Sequence, residues 1–388
     1  MKKLFLVAIP LLFCAPFFTS CSEDETWLAP TDDGPMIIQK VVDPKNWDAP
    51  IQGAELEQMI KLVGKNLNNA DTITINDVGV SMPGDAMIVN GEIYIRIPYS
   101  APTVIDNKIK ITDIYNRTVE YDNFVISLPK MTATGMDLEW AAPGTDVTFY
   151  GNYFDLYRMT DEDESKVLFG TNEATIVNMT KTLLTVTVPA GAAPNDEIKL
   201  QSVTGETVKM PFKYRDQQWL LNDFTAKNGE VHGGFTYQNA PAESGDPNAI
   251  DGTYLKYKAN FPGGWSADGW GVLDMWVSDV AGKLPDDINT NRNKYSFKFE
   301  AWAALEPIKV IRFEFESWDP NETRCWWYDV ELFPEPVIGK WHTVTLPAES
   351  IISSIGGIGT IKCFRIVAQG PDAGEVYLAI DNPRFALK

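Results

Sequence analysis

Ile60-Lys-Leu-Val-Gly-Lys-Asn-Leu67 and Val147-Thr-Phe-Tyr-Gly-Asn-Tyr-Phe154 read as one segment written twice. Alone, the first copy points to a short amphipathic helix, because Leu56, Met59, Ile60 and Val63 fall at helical spacing. The second copy reads as strand. Two further matches follow in the same order: Ile95-Arg-Ile-Pro98 with Val186-Thr-Val-Pro189, and Ile109-Lys-Ile (with Thr118-Val119) with Ile198-Lys-Leu (with Thr207-Val208). Their starts, 60 against 147, 95 against 186 and 109 against 198, keep a nearly constant offset, the mark of tandem copies of one small domain. The repeat overrules the helical spacing, and strand is expected in both copies.

From Pro35 onward short β-rich runs alternate with turn residues. Thr72-Ile-Thr-Ile, Ile93-Tyr-Ile-Arg-Ile and Lys108-Ile-Lys-Ile-Thr each alternate apolar with polar and should bury one face. Each copy has a strand ending in Gly-x-(Asn/Tyr)-(Leu/Phe), a strand closed by Pro, and a hairpin before its last strand. This pattern resembles the IPT/TIG immunoglobulin-like fold, over 35–130 and 131–215. Such modules act as spacers in surface proteins. Neither copy gathers surface aromatics or paired ionisable groups that read as a site, so both are expected to be stalk. The whole is expected to be all-β: two tandem IPT/TIG-like sandwiches followed by a larger, jelly-roll-like β-sandwich over 216–388.

The N-terminus decides the compartment. Residues 1–20 begin with Lys2-Lys3, continue as an apolar run broken by Pro10, and end on Thr19 and Ser20 before Cys21. That is a secretory signal peptide, too short and too interrupted for a membrane span. Small residues before Cys21 resemble a lipobox, which makes Cys21 the lipidated first residue of the mature chain. Residues 21–34 form an acidic, flexible tether. Its Ser22-Glu-Asp-Glu resembles the signal that sends some lipoproteins to the outer face of the outer membrane.

The chain carries 33 basic against 53 acidic residues, a formal net charge of −20. Losing Lys2 and Lys3 with the signal makes it more negative still. Such a charge repels phosphate backbones, so nucleic acid is not an expected partner. Of the four cysteines, Cys14 leaves with the signal and Cys21 takes lipid. Cys325 and Cys363 either pair or stay as two buried thiols, and the sequence leaves both open. His232 and His342 stand alone, which argues against a His-based triad and a zinc site. No metal site is expected.

Residues 216–388 hold nine of the twelve tryptophans: 219, 265, 270, 276, 302, 318, 326, 327 and 341. In Tyr295-Ser-Phe-Lys-Phe-Glu-Ala-Trp302, Phe297, Phe299 and Ala301 share one face, while Ser296, Lys298, Glu300 and Trp302 share the other. In Ile311-Arg-Phe-Glu-Phe-Glu-Ser-Trp318, Phe313 and Phe315 point inward, and Arg312, Glu314, Glu316 and Trp318 take the polar face. Trp302 and Trp318 are therefore expected to be exposed. Trp341 takes the polar parity of its own strand. Val330 and Leu332 pull Trp326 to the core and leave Trp327 outward. Gly263-Gly-Trp265-Ser-Ala-Asp-Gly-Trp270-Gly is a turn-rich loop suited to a binding rim. The expected ligand-binding set is Trp302, Trp318, Trp265, Trp270, Trp327, Arg312 and Glu316.

Flat aromatic faces among carboxylates, Arg and amides suit a sugar, whose axial C–H groups stack on Trp while its hydroxyls take hydrogen bonds. The lipobox, the two IPT/TIG-like repeats and the Trp-rich last domain together resemble the surface glycan-binding lipoproteins of polysaccharide-utilisation systems. Gly252-Thr-Tyr-Leu-Lys-Tyr and Leu378-Ala-Ile-Asp-Asn-Pro-Arg-Phe385 look like that family's glycan-binding domain, known best for xyloglucan. The resemblance implies a non-catalytic protein that holds xyloglucan or another β-glycan at the cell surface, beside a TonB-dependent transporter and its lipoprotein partner. It implies no cofactor. A structural calcium, held in some jelly-roll carbohydrate-binding domains, would draw on Asp223, Asp381 and Asn382. Three oxygen donors are too few without backbone carbonyls, and an Asp-Asn pair is more often a turn. Two other classes compete. A sandwich glycoside hydrolase would use Glu314 and Glu316, about 6.5–7 Å apart on one strand face. An adhesin for a protein partner would share the stalk.

Overall fold

A computed structural model describes residues 34–227, 229–263, 272–276, 280, 282–306, 308–316, 324–327, 338–351 and 363–388, with the backbone alone at 272–276, 289, 316 and 324–327. The chain forms two compact units: residues through Pro98 with Asp106–Ile126, and Tyr99–Ile105 with Ser127–Lys388. Both are built of strands. Among the described residues the α-helices are single turns, Ile288–Asn291 and Ala348–Ile351. The all-β expectation holds.

In the first unit a five-stranded and a four-stranded sheet enclose Ile60, Leu62, Ile73, Ile93, Ile95, Ile109, Ile111 and Phe124. The disputed segment is the strand Met59–Lys65. Its repeat counterpart is the strand Asp146–Asn152. The two share one device at the motif glycine. Gly64 is in register with Ile38, and Gly151 with Ala133, each beside a bulge in the preceding strand. A Cβ at Gly64 would lie 1.9 Å from the Ile37 carbonyl oxygen, and one at Gly151 would lie 2.0 Å from that of Thr132. Only glycine lets the bulged strand pass so close. The apolar residue ending each motif, Leu67 or Phe154, is fully buried. The glycine permits the bulge, and the apolar residue anchors the chain after it.

The second unit starts with seven strands in one hydrogen-bonded order, from Thr132–Met136 to Thr207–Lys213. The order folds over on itself. Phe149, on the second strand in it, meets Phe169, on the fifth, at 6.3 Å, and Tyr214 closes on Phe169 at 5.2 Å.

The C-terminal sandwich of this unit has two sheets. The six-stranded sheet runs Phe235–Gln238, Tyr254–Phe261, Gly374–Leu387, Tyr295–Ala303 and His342–Pro347, with Trp219–Leu220 also on the Gly374–Leu387 strand. The four-stranded sheet runs Val272–Trp276, Cys363–Ala368, Ile311–Glu316 and Arg324–Trp327. Between them lies an aromatic core of the kind alternation predicts. Phe297 and Phe299 from the larger sheet meet Phe313 from the smaller at 5.2 and 4.7 Å, and Phe315 meets Phe364 and Phe385 at 5.1 and 5.6 Å. Each contact adds about 0.5–1.5 kcal/mol beyond area burial. The inward parity read for both Phe-rich strands is correct.

Candidate functional site

A two-layer sandwich has two outer faces, and here they differ. On the six-stranded sheet the outer face holds Lys298, Glu300 and Arg384, together with Glu139 from the second sandwich. Glu139 Oε1 accepts from Lys298 Nζ at 2.5 Å, and its Oε2 accepts from Arg384 Nη2 at 2.9 Å. The Arg384 guanidinium also donates to both Glu300 oxygens, at 2.8 and 3.0 Å. All four residues are at most 5% exposed. Two anions face two cations, so the cluster carries no net formal charge. Burial dominates at Glu300 and raises its carboxyl above the usual range against the pull of Arg384. Trp140 is buried under Arg384, 5.0 Å from ring to guanidinium, and Phe212 lies 4.8 Å from the Lys298 ammonium. The polar face of the Tyr295–Ala303 strand is thus covered by the second sandwich.

That corrects the expectation for Trp302. It lies on the non-core face, as alternation requires, but is 6% exposed. It packs with Tyr254, Ala379, Trp341 and Tyr377, with Tyr377 edge-on at 5.4 Å. Trp341 is half-buried, meets Tyr254 at 5.6 Å and donates from Nε1 to the Asn248 carbonyl at 2.8 Å. Tyr254 in turn donates to the Pro247 carbonyl at 3.0 Å. The 247–254 segment therefore closes this side. Beside it the buried Asp246 carboxylate accepts from Lys256 at 2.8 Å and from the Tyr377 hydroxyl. Burial alone would raise that carboxyl, but these donors and the Ala242 and Glu243 amides hold it down at about 2. The face is a structural contact.

The outer face of the four-stranded sheet carries a different set of groups, of which Glu314, Cys363 and Val367 are buried. Ile311, Phe313 and Phe315 enter the core, and the alternate residues Arg312 and Glu314 take the other side. Arg312 is half-buried, pairs with Glu314 at 2.5 Å and donates to the Gln369 amide oxygen. A guanidinium held by two partners is pre-organised, with edges in fixed directions. The ladder adds neighbours. Trp327 stands opposite Arg312 and Cys325 opposite Glu314. On the other side Arg365 lies between Glu314 and Asp274, and Cys363 lies between Glu316 and Trp276. Directly opposite residues in an antiparallel ladder belong to one face. Charged groups and two Trp positions thus alternate across one sheet. Asp274, Trp276 and Arg365 were absent from the expected set, although the alternation in Val272-Leu-Asp-Met-Trp276 pairs the first two.

Of the expected site residues, the structure brings Arg312, Glu316 and Trp327 to this sheet and puts Trp302 on the opposite one. Trp265, Trp270 and Trp318 lie outside the described residues. The cysteine question is settled by register. The Ile311–Glu316 strand runs between Cys325 and Cys363. Two strand spacings separate their backbones by about 9.6 Å, beyond the ~7 Å Cα limit of a disulfide. Cys363 is buried.

Asp381 and Asn382 make a bulge in the Gly374–Leu387 strand, with Asn382 at φ 49°. Asp381 Oδ1 accepts from the Asn382 amide at 2.9 Å. Burial, with Glu300, Asp251 and Asp223 near, pushes its carboxyl well above the usual range, toward the neutral form. Among the described residues no group of three His, Cys, Asp or Glu side chains could hold a metal ion.

Residues 214–386 match the family model for the surface glycan-binding protein B xyloglucan binding domain, and residues 134–225 match that for the IPT/TIG domain. No curated protein sequence matches the chain. Among solved structures, the chain is similar to surface glycan-binding protein PbSGBP-B from Prevotella bryantii, at 19% identity and TM-score 0.59, covering 91% of this chain and 99% of that one. It is similar to SGBP-B from a complex xyloglucan utilization locus in Bacteroides uniformis, at 14% identity and TM-score 0.51, covering 92% and 100%. A structure with a xylogluco-oligosaccharide matches at 13% identity and TM-score 0.54, covering 92% and 80%. At these identities the likeness is one of fold.

Proposed function

The chain carries, over residues 214–386, a domain matching the xyloglucan binding domain of surface glycan-binding proteins B, and on that premise we propose that it is a non-catalytic cell-surface protein that captures polysaccharide. The ligand is xyloglucan or another β-glycan, held on the outer face of the four-stranded sheet. The observation that carries this reading is the Arg312–Glu314–Gln369 arrangement with Trp327 opposite Arg312. Fixed donors and acceptors beside an indole position supply the in-plane hydrogen bonds and the stacking that a pyranose needs. The second sandwich packs on the other side of the domain. Glu314, one of the two carboxylates a hydrolase would use, is engaged by Arg312, an arrangement that serves binding better than proton transfer.

Lipid on Cys21 anchors the protein in the outer membrane, and the acidic 21–34 tether holds it off the exterior surface. There it passes glycan to a TonB-dependent transporter and its lipoprotein partner. Affinity electrophoresis of the mature chain against plant, fungal and host polysaccharides, followed by product analysis, tests the reading. Retardation by a β-glucan such as xyloglucan with the polymer left intact supports it. Shortened polymer indicates an enzyme, and retardation by no glycan at all defeats the proposal.

A further inference from the structure

The second sandwich, expected from sequence to be a spacer, is joined to the C-terminal sandwich by more than a linker. We infer that these two sandwiches form one cooperative unit, locked by Glu139, so that the C-terminal domain depends on its neighbour for its folded form. Three observations support this. The first is charge. Lys298, Glu300 and Arg384 come from one sandwich, and Glu139 supplies the second anion from the other. Without it, two buried cations share one carboxylate, that of Glu300. Removing one member of a buried ion cluster is strongly unfavourable, whereas the intact cluster contributes modestly. Its main effect is to admit only one docking geometry.

The second is apolar burial. Trp140 is 1% exposed, beneath Arg384, with its Nε1 donating to Asp251 at 3.3 Å. Arg215, at the end of the second sandwich, pairs with the same Asp251 at 3.1 Å. The third is backbone pairing. The Thr343 amide donates to the Asp137 carbonyl at 2.7 Å, and the Glu139 amide donates to the Thr343 hydroxyl at 2.7 Å. Thr343 completes the link by donating to Glu300 at 3.1 Å. Loop 137–140 is therefore inserted into the sheet's polar face by main chain, charge and ring together. These contacts involve no group of the proposed glycan face, so the docking is independent of the proposed function.

The test uses the full mature chain with a protease site placed between Gln217 and Gln218, both exposed. After cleavage the halves should stay together on gel filtration even at about 1 M salt, because buried pairs are weakly screened. Glu139→Gln in the cleaved chain should raise the dissociation constant of the halves by at least about a hundredfold. Separation of the cleaved parent into two folded pieces overturns the inference, and so does Glu139→Gln dissociating no more readily than the parent. Should the insertion prevent folding, hydrogen exchange on the uncut chain decides. The Asp146–Asn152 and Tyr295–Ala303 strands should lose protection at one denaturant concentration, shifted down together by Glu139→Gln. Loss at two separate concentrations, or a shift in only one strand, contradicts it.

Discussion

Arg312 stands directly opposite Trp327 in the ladder between the Ile311–Glu316 and Arg324–Trp327 strands. Trp302, on the other sheet of the same sandwich, is sealed among Tyr254, Trp341 and Tyr377. The two tryptophans should therefore respond in opposite ways to removal. Trp327→Ala should cost on the order of 1–3 kcal/mol of glycan affinity, roughly ten- to a hundredfold, with the melting temperature nearly unchanged. Trp302→Ala should cost about 3–5 kcal/mol of stability and leave affinity per folded molecule intact. Calorimetric titration and thermal melting of both variants check this. The reverse pattern would return the site to the six-stranded sheet.

The repeat glycines make a prediction free of any ligand. Gly64→Ala and Gly151→Ala each place a methyl group against a main-chain oxygen of the bulged strand, at Ile37 and Thr132. Each should lose at least about 1–3 kcal/mol, the usual cost of overpacking. Denaturant melts of the two variants measure it. Losses of equal size would show that both copies use the same device, and no loss at either would show that the strands can move apart.

Asp246 gives a pH dependence with a definite sign. Its folded-state pKa is depressed to about 2 from 3.8. A depressed carboxylate contributes stability that is full above its unfolded pKa and is lost as pH falls through the folded value. The shift corresponds to about 2 kcal/mol. Asp246→Asn should be less stable than the parent at neutral pH, and the difference should shrink between about pH 4 and 2. A constant difference across that window would mean the carboxylate is not held by its charge.

Much of this was legible in the chain itself, and the exceptions have one cause. The repeat identified Met59–Lys65 as strand against its own helical spacing, because two copies of a domain must fold alike. Alternation placed Phe297, Phe299, Phe313 and Phe315 in the core, since a strand has only two faces. Alternation also put Trp302 on the non-core face, but a face is not an exposure. What covers it is the 247–254 segment, and what covers the rest of that face is Glu139 and Trp140, brought from a different sandwich. No local pattern around Glu139 announces that role. Cys325 and Cys363 stayed ambiguous for the same reason, because the strand between them is set by topology rather than by spacing.

The export reading has its own test. Cys21→Ala should yield an unprocessed or soluble protein in cell fractionation. Changing Glu23, Asp24 and Glu25 to Ala should keep the lipid but remove the protein from surface labelling of intact cells. A Cys21→Ala protein that is processed and still sediments with membranes would refute the lipid anchor.

The central claim is that glycan lies on the outer face of the four-stranded sheet. Hydrogen exchange of the full mature chain, with and without saturating xyloglucan oligosaccharide, addresses it most directly. Slowed exchange should appear in Val272–Trp276, Ile311–Glu316, Arg324–Trp327 and Cys363–Ala368, with none in Tyr295–Ala303 or His342–Pro347. Protection confined to the latter two strands or to the first two sandwiches would contradict the claim.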